Sequence, residues 1–418
     1  MIGYLSINVT DYETGYAIED AEVCIYYIHQ LDDEKQLVGN NINTNESGQI
    51  RKLRAYAPNL YYSQSPQEKR PYSRYMIEVK KEGYKTATIS GVQVFPCVDS
   101  IQNIRLQLKN KKTVEPTSYN IEEHKLYTGY EPKEIEEERV DPKVLTKVVV
   151  PEFIIVHDGY PTDSSAPNYW VYFSDYIKNV ASSEVYPTWP KSTIYANITA
   201  IISFTLNRVY TEWYKGQGYD FTITSTTQFD HKYIHRRTIF ESINSAVDDI
   251  FNLYIKRPNQ KQPLLAQYCD GKQTQCPGVM TQWGSKYLGD QGYSFDRILQ
   301  YYYGDNIDFM RAPIISGVPT SYPGYELRVG SRGDFVKTIQ QQINVISNAY
   351  PAIGKLDEDG IYGNKTKESV AKFQQVFNLP QSGTVNFATW YEISRIYVAV
   401  SKIGAYGKKI NLEEFINK

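Results

Sequence analysis

One acidic residue, Glu184, stands where a helical pattern calls for an apolar one. Between Phe173 and Pro190, the residues Phe173, Tyr176, Ile177, Val180 and Ala181 recur at the i, i+3, i+4, i+7, i+8 spacing of a buried stripe, and Glu184 continues the row at i+11. Glutamate is seldom fully buried without a partner, because losing water penalises the anion. No base lies three or four positions away, where Val180, Ala181, Pro187 and Thr188 stand. A carboxyl that keeps its proton near neutral pH can serve as a general acid. The other reading, equally open, is a side chain that reaches water at a frayed helix end. Trp189 follows at the joint with the next helix, as a pocket wall or as core filler.

A second set of candidate ligands is Cys269, Cys276, His231 and His235. These are zinc-binding residue types, and His-x3-His fits one helix face. The Cys-x6-Cys spacing is looser than a zinc knuckle, so a disulfide or two free thiols is expected and no metal or other cofactor. Cys24 and Cys97 are expected on strands, in the core.

The elements that must position Glu184 are a helix from Ser174, an N-cap type with Asp175 in the first turn, and a second helix. Pro190 suits the start of that second helix, and Ile194, Ile198, Ile201, Ile202, Thr205 and Val209 give its apolar stripe. They sit in a chain of 418 residues, long enough for several domains. Residues 1–108 read as a small β-sandwich: Leu5, Ile7 and Val9 alternate, as do Val23, Ile25 and Tyr27, with Ile77 and Val79, and Ile104, Leu106 and Leu108. Turn signals at 13–15, 45–48 and 81–83 separate the runs. Residues 109–150 read as an exposed acidic linker broken by Pro116, Pro132 and Pro142. Residues 151–312 mix helices and strands as an α+β domain, 313–324 are a Pro/Gly/Ser hinge, and 325–418 are a small helical unit with a tail. The whole is therefore multidomain.

Composition narrows the function classes. Hydrophobic residues make up 41% and charged residues 22%, which excludes a disordered chain. A net charge of −2 gives no basic field for nucleic acid, and no apolar run approaches the ~18 residues of a membrane span. The start, MIGYLSINVT, has neither basic nor long apolar regions and does not read as a classical signal peptide. Tyrosine is in excess at 38 residues, and its flat ring with a polar tip suits sugars and interfaces.

Tyr176–Glu184 (YIKNVASSE), then Trp189-Pro190 and the Ile194–Leu206 segment, resemble the signature of the SpoIID family of peptidoglycan lytic transglycosylases. Gln282-Trp283-Gly284, Gln291–Ser294 and Ile298–Gly304 are similar to that family's second block. Residues 325–390 resemble a type-1 peptidoglycan-binding domain, through Leu327–Gly333, Asp359–Gly363, Phe373-Gln374, Gly383–Val385 and Thr389-Trp390. The modular order resembles the SleC-like spore cortex-lytic enzymes. The run Cys276–Thr281 departs from the His-Gly-Val-Gly-Met-Ser of many relatives, so no histidine-dependent role is carried over.

The resemblance implies that Glu184 is the catalytic acid of MurNAc–GlcNAc cleavage to 1,6-anhydro-muramoyl ends during germination. Gln228, Gln282, Trp283 and Trp189 would position substrate, amides bonding N-acetyl groups and indoles stacking on sugar rings. It implies storage in the spore, in the cortex or coat region, as a zymogen. A germination protease would cut the linker, and the expected cut is at Val149-Val150. Spore cortex peptidoglycan is the implied partner. Two alternatives stay open: a non-catalytic peptidoglycan-binding spore structural protein, and a muramidase-type hydrolase.

Overall fold

Alternation in the first hundred residues becomes two facing sheets. The computed structural model describes residues 1–30, 32–66, 69–124, 126, 145–272, 276, 278–312, 314–316 and 322–401. Its first strands are β1 (Ile2–Asp11), β2 (Glu22–Ile28), β3 (Lys35–Asn43), β4 (Gln49–Tyr56), β5 (Ser73–Lys80), β6 (Ala87–Val94), β7 (Asp99–Leu106) and β8 (Ser118–Asn120). β1 pairs antiparallel with β4 and parallel with β7; β3, β2, β5, β6 and β8 form the opposing sheet. Leu5, Ile7, Val9, Val23, Ile25, Ile77, Val79, Ile104 and Leu106 point into one shared core, as period-two spacing requires. Cys24 is buried on β2, whereas Cys97 is exposed in a turn with φ 61°, not on a strand.

The sandwich does not stop at residue 108. β8 lies inside the expected linker and pairs parallel with β6, and Ile121 enters the sandwich core. His124, Leu126, Leu145 and Val148 are also buried. Acidic composition misled here because the acids have partners: Glu122 pairs with Lys232 at 2.8 Å, Glu123 with Arg70 at 2.6 Å, and Glu115 with Arg236. The remainder of that linker, 127–144, lies outside the described residues, as do half of the expected hinge and the tail after 401.

The central region continues with β9 (Val149–Val150), β10 (Phe153–His157), β11 (Asn168–Tyr172), α1 (Phe173–Glu184), α2 (Lys191–Thr211), β12 (Ile223–Thr224), β13 (Ile239–Phe240), α3 (Glu241–Ile250) and β14 (Leu253–Lys256). Then come β15 (Tyr268–Cys269), β16 (Met280–Thr281), α4 (Gln282–Asp290), α5 (Phe295–Tyr303), β17 (Asp308–Arg311) and β18 (Ile314–Ile315). The N-cap of α1 is Tyr172, with no side-chain cap bond, so Ser174 sits inside the helix and does not cap it. α2, buried along almost its whole length, is the pillar on which α1, α3, α4 and α5 pack.

Two joints matter for the site. β13 adds antiparallel to β7, so the central region supplies the edge strand of the N-terminal sheet. Tyr72, Phe95 and Val98 of the sandwich belong to the same apolar cluster as α1 and α2. Among the described residues no helix is long and apolar enough to cross a membrane. The C-terminal unit is helical: α6 (Asp334–Ala349), α7 (Asn364–Val376) and α8 (Phe387–Ser401) enclose Leu327, Ile339, Ile343, Val370, Phe373 and Trp390.

Candidate functional site

The i+11 position of the stripe is buried. Glu184 ends α1 at 2% exposure, and its carboxylate is gripped from two sides. The Lys232 backbone N–H donates to Oε1 at 2.8 Å, and the Gln282 amide donates to Oε2 at 2.8 Å and to the Glu184 carbonyl at 2.9 Å. The frayed-end reading fails: Val185 N–H still closes onto Ala181 O, and Val185, Tyr186 and Pro187 are buried after it.

The stripe itself was too narrow an expectation. Every residue from Tyr176 to Glu184 is buried, Lys178, Asn179, Ser182 and Ser183 included. The polar face of α1 is covered by the 230–238 segment. Asn179 exchanges hydrogen bonds with the Ile234 carbonyl (2.7 Å) and N–H (3.1 Å), and Arg237 bridges Ser183 Oγ and Gln93 Oε1, both at 2.9 Å. Lys178 pairs with Asp248 of α3 at 2.6 Å, and Asp248 and Glu392 hold its ammonium pKa up against the burial that lowers it.

Of the substrate-positioning candidates, Gln282 and Trp283 open α4, tied to α1 by the Gln282 amide. Gln282 Oε1 and Trp283 Nε1 are buried and have no hydrogen-bond partner among the described residues. Trp189 lies beside Trp283, ring centres 5.0 Å apart, and Tyr186 stands edge-on to both. Trp189 is buried among these rings. Gln228 sits half-buried on the loop that follows β12 and leads to Lys232, the residue whose N–H holds Glu184.

Two other acids of the central region are committed elsewhere. Asp230 accepts from Arg208 Nε (2.9 Å), Tyr214 OH (2.6 Å) and Thr224 N–H (2.9 Å) and Oγ1 (2.7 Å). Asp175 faces Arg395 of α8 at 3.6 Å. Cys269 and Cys276 form a disulfide, one of the two states left open by their spacing. The histidines are not on one helix face, because 231–235 is irregular chain. His231 Nδ1 meets Tyr176 OH at 3.0 Å, whereas His235 stacks flat on Tyr169 at 3.7 Å and burial pushes its pKa down to about 4. Among the described residues no group of three or more His, Cys, Asp or Glu is placed to hold a metal ion.

No sequence signal marked the residues that come from the N-terminal module. Trp189 Nε1 donates to the Ser63 carbonyl at 2.8 Å, and Thr188 bonds Ser63 Oγ at 2.7 Å. Phe95 and His124 pack on Tyr186, with ring centres 5.6 and 4.9 Å away. His124 Nδ1 accepts from Leu126 N–H, so Nε2 carries the proton toward Val185 O at 3.3 Å. Burial first, then Arg237, holds this imidazole neutral, well below its ordinary pKa. The wall beside Glu184 is thus closed by the sandwich and by the segment that follows it. At the expected cut, Val150 is 2% exposed, and β9 pairs with β18. That bond is not in an exposed connector; a protease reaches it only after the strand pair opens.

Residues 332–393 match the type-1 peptidoglycan-binding domain family. The chain accordingly carries a wall-binding module, which supports a cell-wall-associated protein. No curated protein is significantly similar to the chain. Among solved structures, 5-hydroxyisourate hydrolase of Klebsiella pneumoniae is 18% identical, over 24% of this chain and 89% of that one, with a TM-score of 0.16. The 3-chlorocatechol 1,2-dioxygenase of Rhodococcus opacus 1CP is 13% identical over 29% of this chain and 58% of that one. Catechol 1,2-dioxygenase of Acinetobacter sp. ADP1 is 15% identical over 27% and 57%, and both score 0.16. The chain therefore spans less than two thirds of either dioxygenase, and scores of this size carry no inference.

Proposed function

We propose that the protein is a peptidoglycan lytic transglycosylase of the SleC type, held latent by its N-terminal module and acting on spore cortex during germination. The observation that carries the reading is the buried Glu184 carboxylate, fixed by Gln282 and the Lys232 N–H beside the Trp189–Trp283 wall. It belongs to a chain that also bears a peptidoglycan-binding domain.

In this mechanism Glu184 carries a proton when the strand arrives and gives it to the glycosidic oxygen as the C1–O bond breaks. The muramoyl C6 hydroxyl closes on C1, forming the 1,6-anhydro ring, and its proton returns to Glu184. The nucleophile belongs to the substrate, so the second carboxylate that ordinary glycosidases need is dispensable. The prior engagement of Asp230 and Asp175 fits that economy. Gln282 Oε1 and Trp283 Nε1, lacking partners among the described residues, are suited to an N-acetyl group's N–H and a sugar oxygen.

Latency in this reading is steric. Ser63, Phe95 and His124 occupy the ground a glycan strand needs next to Tyr186 and Trp189. Activation is proteolytic, and a cut at Val149-Val150 would require β9 to peel from β18. The test is to treat the full chain with a graded series of protease, add purified cortex, and identify the soluble muropeptides by mass spectrometry. Lysis with anhydro-muramoyl ends, absent with Glu184→Gln, is expected only after cleavage. Reducing muramic ends would make it a muramidase, and no soluble product at any stage would leave a wall-binding structural protein.

A further inference from the structure

The wall-binding module packs on the rest of the chain at two places. α8 turns Phe387 and Tyr391 onto Phe251 of the central region. The far ends of α6 and α7 are held by the N-terminal sandwich. Ala17 N–H donates to Ala349 O at 3.4 Å, Tyr350 OH to Gly15 O at 3.1 Å, and Gln49 Nε2 to Val376 O at 2.8 Å. Arg51 adds bonds to the Gln375 carbonyl and, at 3.1 Å, to Asn378 Oδ1. The start of α6, a 16-residue helix, is therefore about 24 Å from that seam at 1.5 Å per residue.

At this open end the module exposes four large apolar side chains: Tyr325 (54%), Val329 (51%), Phe335 (37%) and Ile361 (39%). They are not scattered. The loops at 328–333 and 359–363 are laced by Gly330 N–H to Tyr362 O (3.0 Å), Tyr362 N–H to Ser331 O (2.9 Å) and Gly333 N–H to Gly360 O (2.9 Å). Val329 and Ile361 thus lie on adjoining loops, and the rings of Tyr325 and Phe335 meet edge-on at 6.5 Å. Phe335 is backed by the buried Trp390 at 5.9 Å, which fixes its orientation. Gly330 (φ 97°) and Gly333 (φ 114°) hold conformations other residues resist, and a Cβ at either would meet nothing within 4 Å. The exposed guanidinium-bearing residues Arg328 and Arg332 share the same loop.

We propose that this surface, formed by Tyr325, Arg328, Val329, Arg332, Phe335 and Ile361, is where the chain grips peptidoglycan. The apolar faces of sugar rings lie on Tyr325 and Phe335, and stem-peptide carboxylates meet the two arginines. The proposal rests on the wall-binding reading of residues 332–393 and is independent of Glu184. The patch is open while the sandwich still covers the Glu184 wall, so the latent full chain is already anchored to its polymer. Anchoring before activation raises the local concentration of substrate around the site that is later uncovered.

The test is co-sedimentation of the full chain with purified, insoluble peptidoglycan over a series of salt concentrations, with thermal unfolding as the folding check. Wild type is expected in the pellet, and Tyr325→Ala combined with Val329→Glu, both at half-exposed positions, weakens binding about tenfold or more. Arg328→Gln with Arg332→Gln flattens the salt dependence. A folded Tyr325/Val329 variant that pellets like wild type overturns the patch while leaving wall binding intact. Failure of wild type to pellet overturns both. Self-association of wild type that the same substitutions abolish also overturns the proposal, since the patch then joins two copies of the chain.

Discussion

The central region meets its two neighbours through seams of different chemistry. Toward the sandwich the seam has an apolar, aromatic centre, running from Tyr72 and Phe95 to Tyr186 and Phe240, with β13 stitched to β7 and the pairs of Lys232 with Glu122 and Arg236 with Glu115 beside it. Toward the wall-binding module it includes a charged cluster: Lys178 with Asp248, Glu392 with Arg395, and Arg395 with Asp175. An apolar seam with a shared sheet resembles a core cut in half, so the sandwich is built into the central fold rather than hung from it. A buried ionic seam contributes less net stability but punishes loss of one partner. The joint beside Glu184 is thus the stronger of the two.

The largest expected effect is at the apolar seam. Phe95→Ala should cost about 3–5 kcal/mol in chemical unfolding and split the sandwich from the central region in limited proteolysis. At the ionic seam, Asp248→Asn removes the direct partner of Lys178, leaving it only the more distant Glu392, and should cost about 3 kcal/mol, whereas Lys178→Met with Asp248→Leu should be near neutral. If the double change is as harmful as the single one, the contrast between the seams is wrong. Acid tests the cover differently. His124 and His235 have pKa values below 6.5 when folded, so their stabilisation is complete above pH 6.5 and is lost as pH falls toward 4. Thermal unfolding between pH 7 and 4.5 should show that loss, reduced in His124→Phe. The smallest effect is Trp189→Phe, which removes the bond to Ser63 O and should cost about 1 kcal/mol.

How far the sequence could be read follows the same divide. Period-two alternation revealed the sandwich core, because Leu5, Ile7 and Val9 each answer only to their own strand. The row ending in Glu184 was legible because α1 keeps one period throughout. What was hidden depended on other segments. Glu115, Glu122 and Glu123 looked like a solvated linker until Arg236, Lys232 and Arg70 were seen opposite them. Val149-Val150 looked like a cleavable junction because the strand that covers it lies more than 160 residues away, at Ile314-Ile315. The N-terminal cover over Tyr186 and Trp189 left no local trace, since Ser63, Phe95 and His124 follow no pattern that marks an interface.

The central claim, that Glu184 passes its proton to a bond broken by the substrate's own hydroxyl, is tested most directly by digestion in water enriched in oxygen-18. Muramoyl products of the protease-activated chain should be anhydro species carrying no label, and Glu184→Gln should release none. Labelled reducing ends, or undiminished release by Glu184→Gln, would contradict the account.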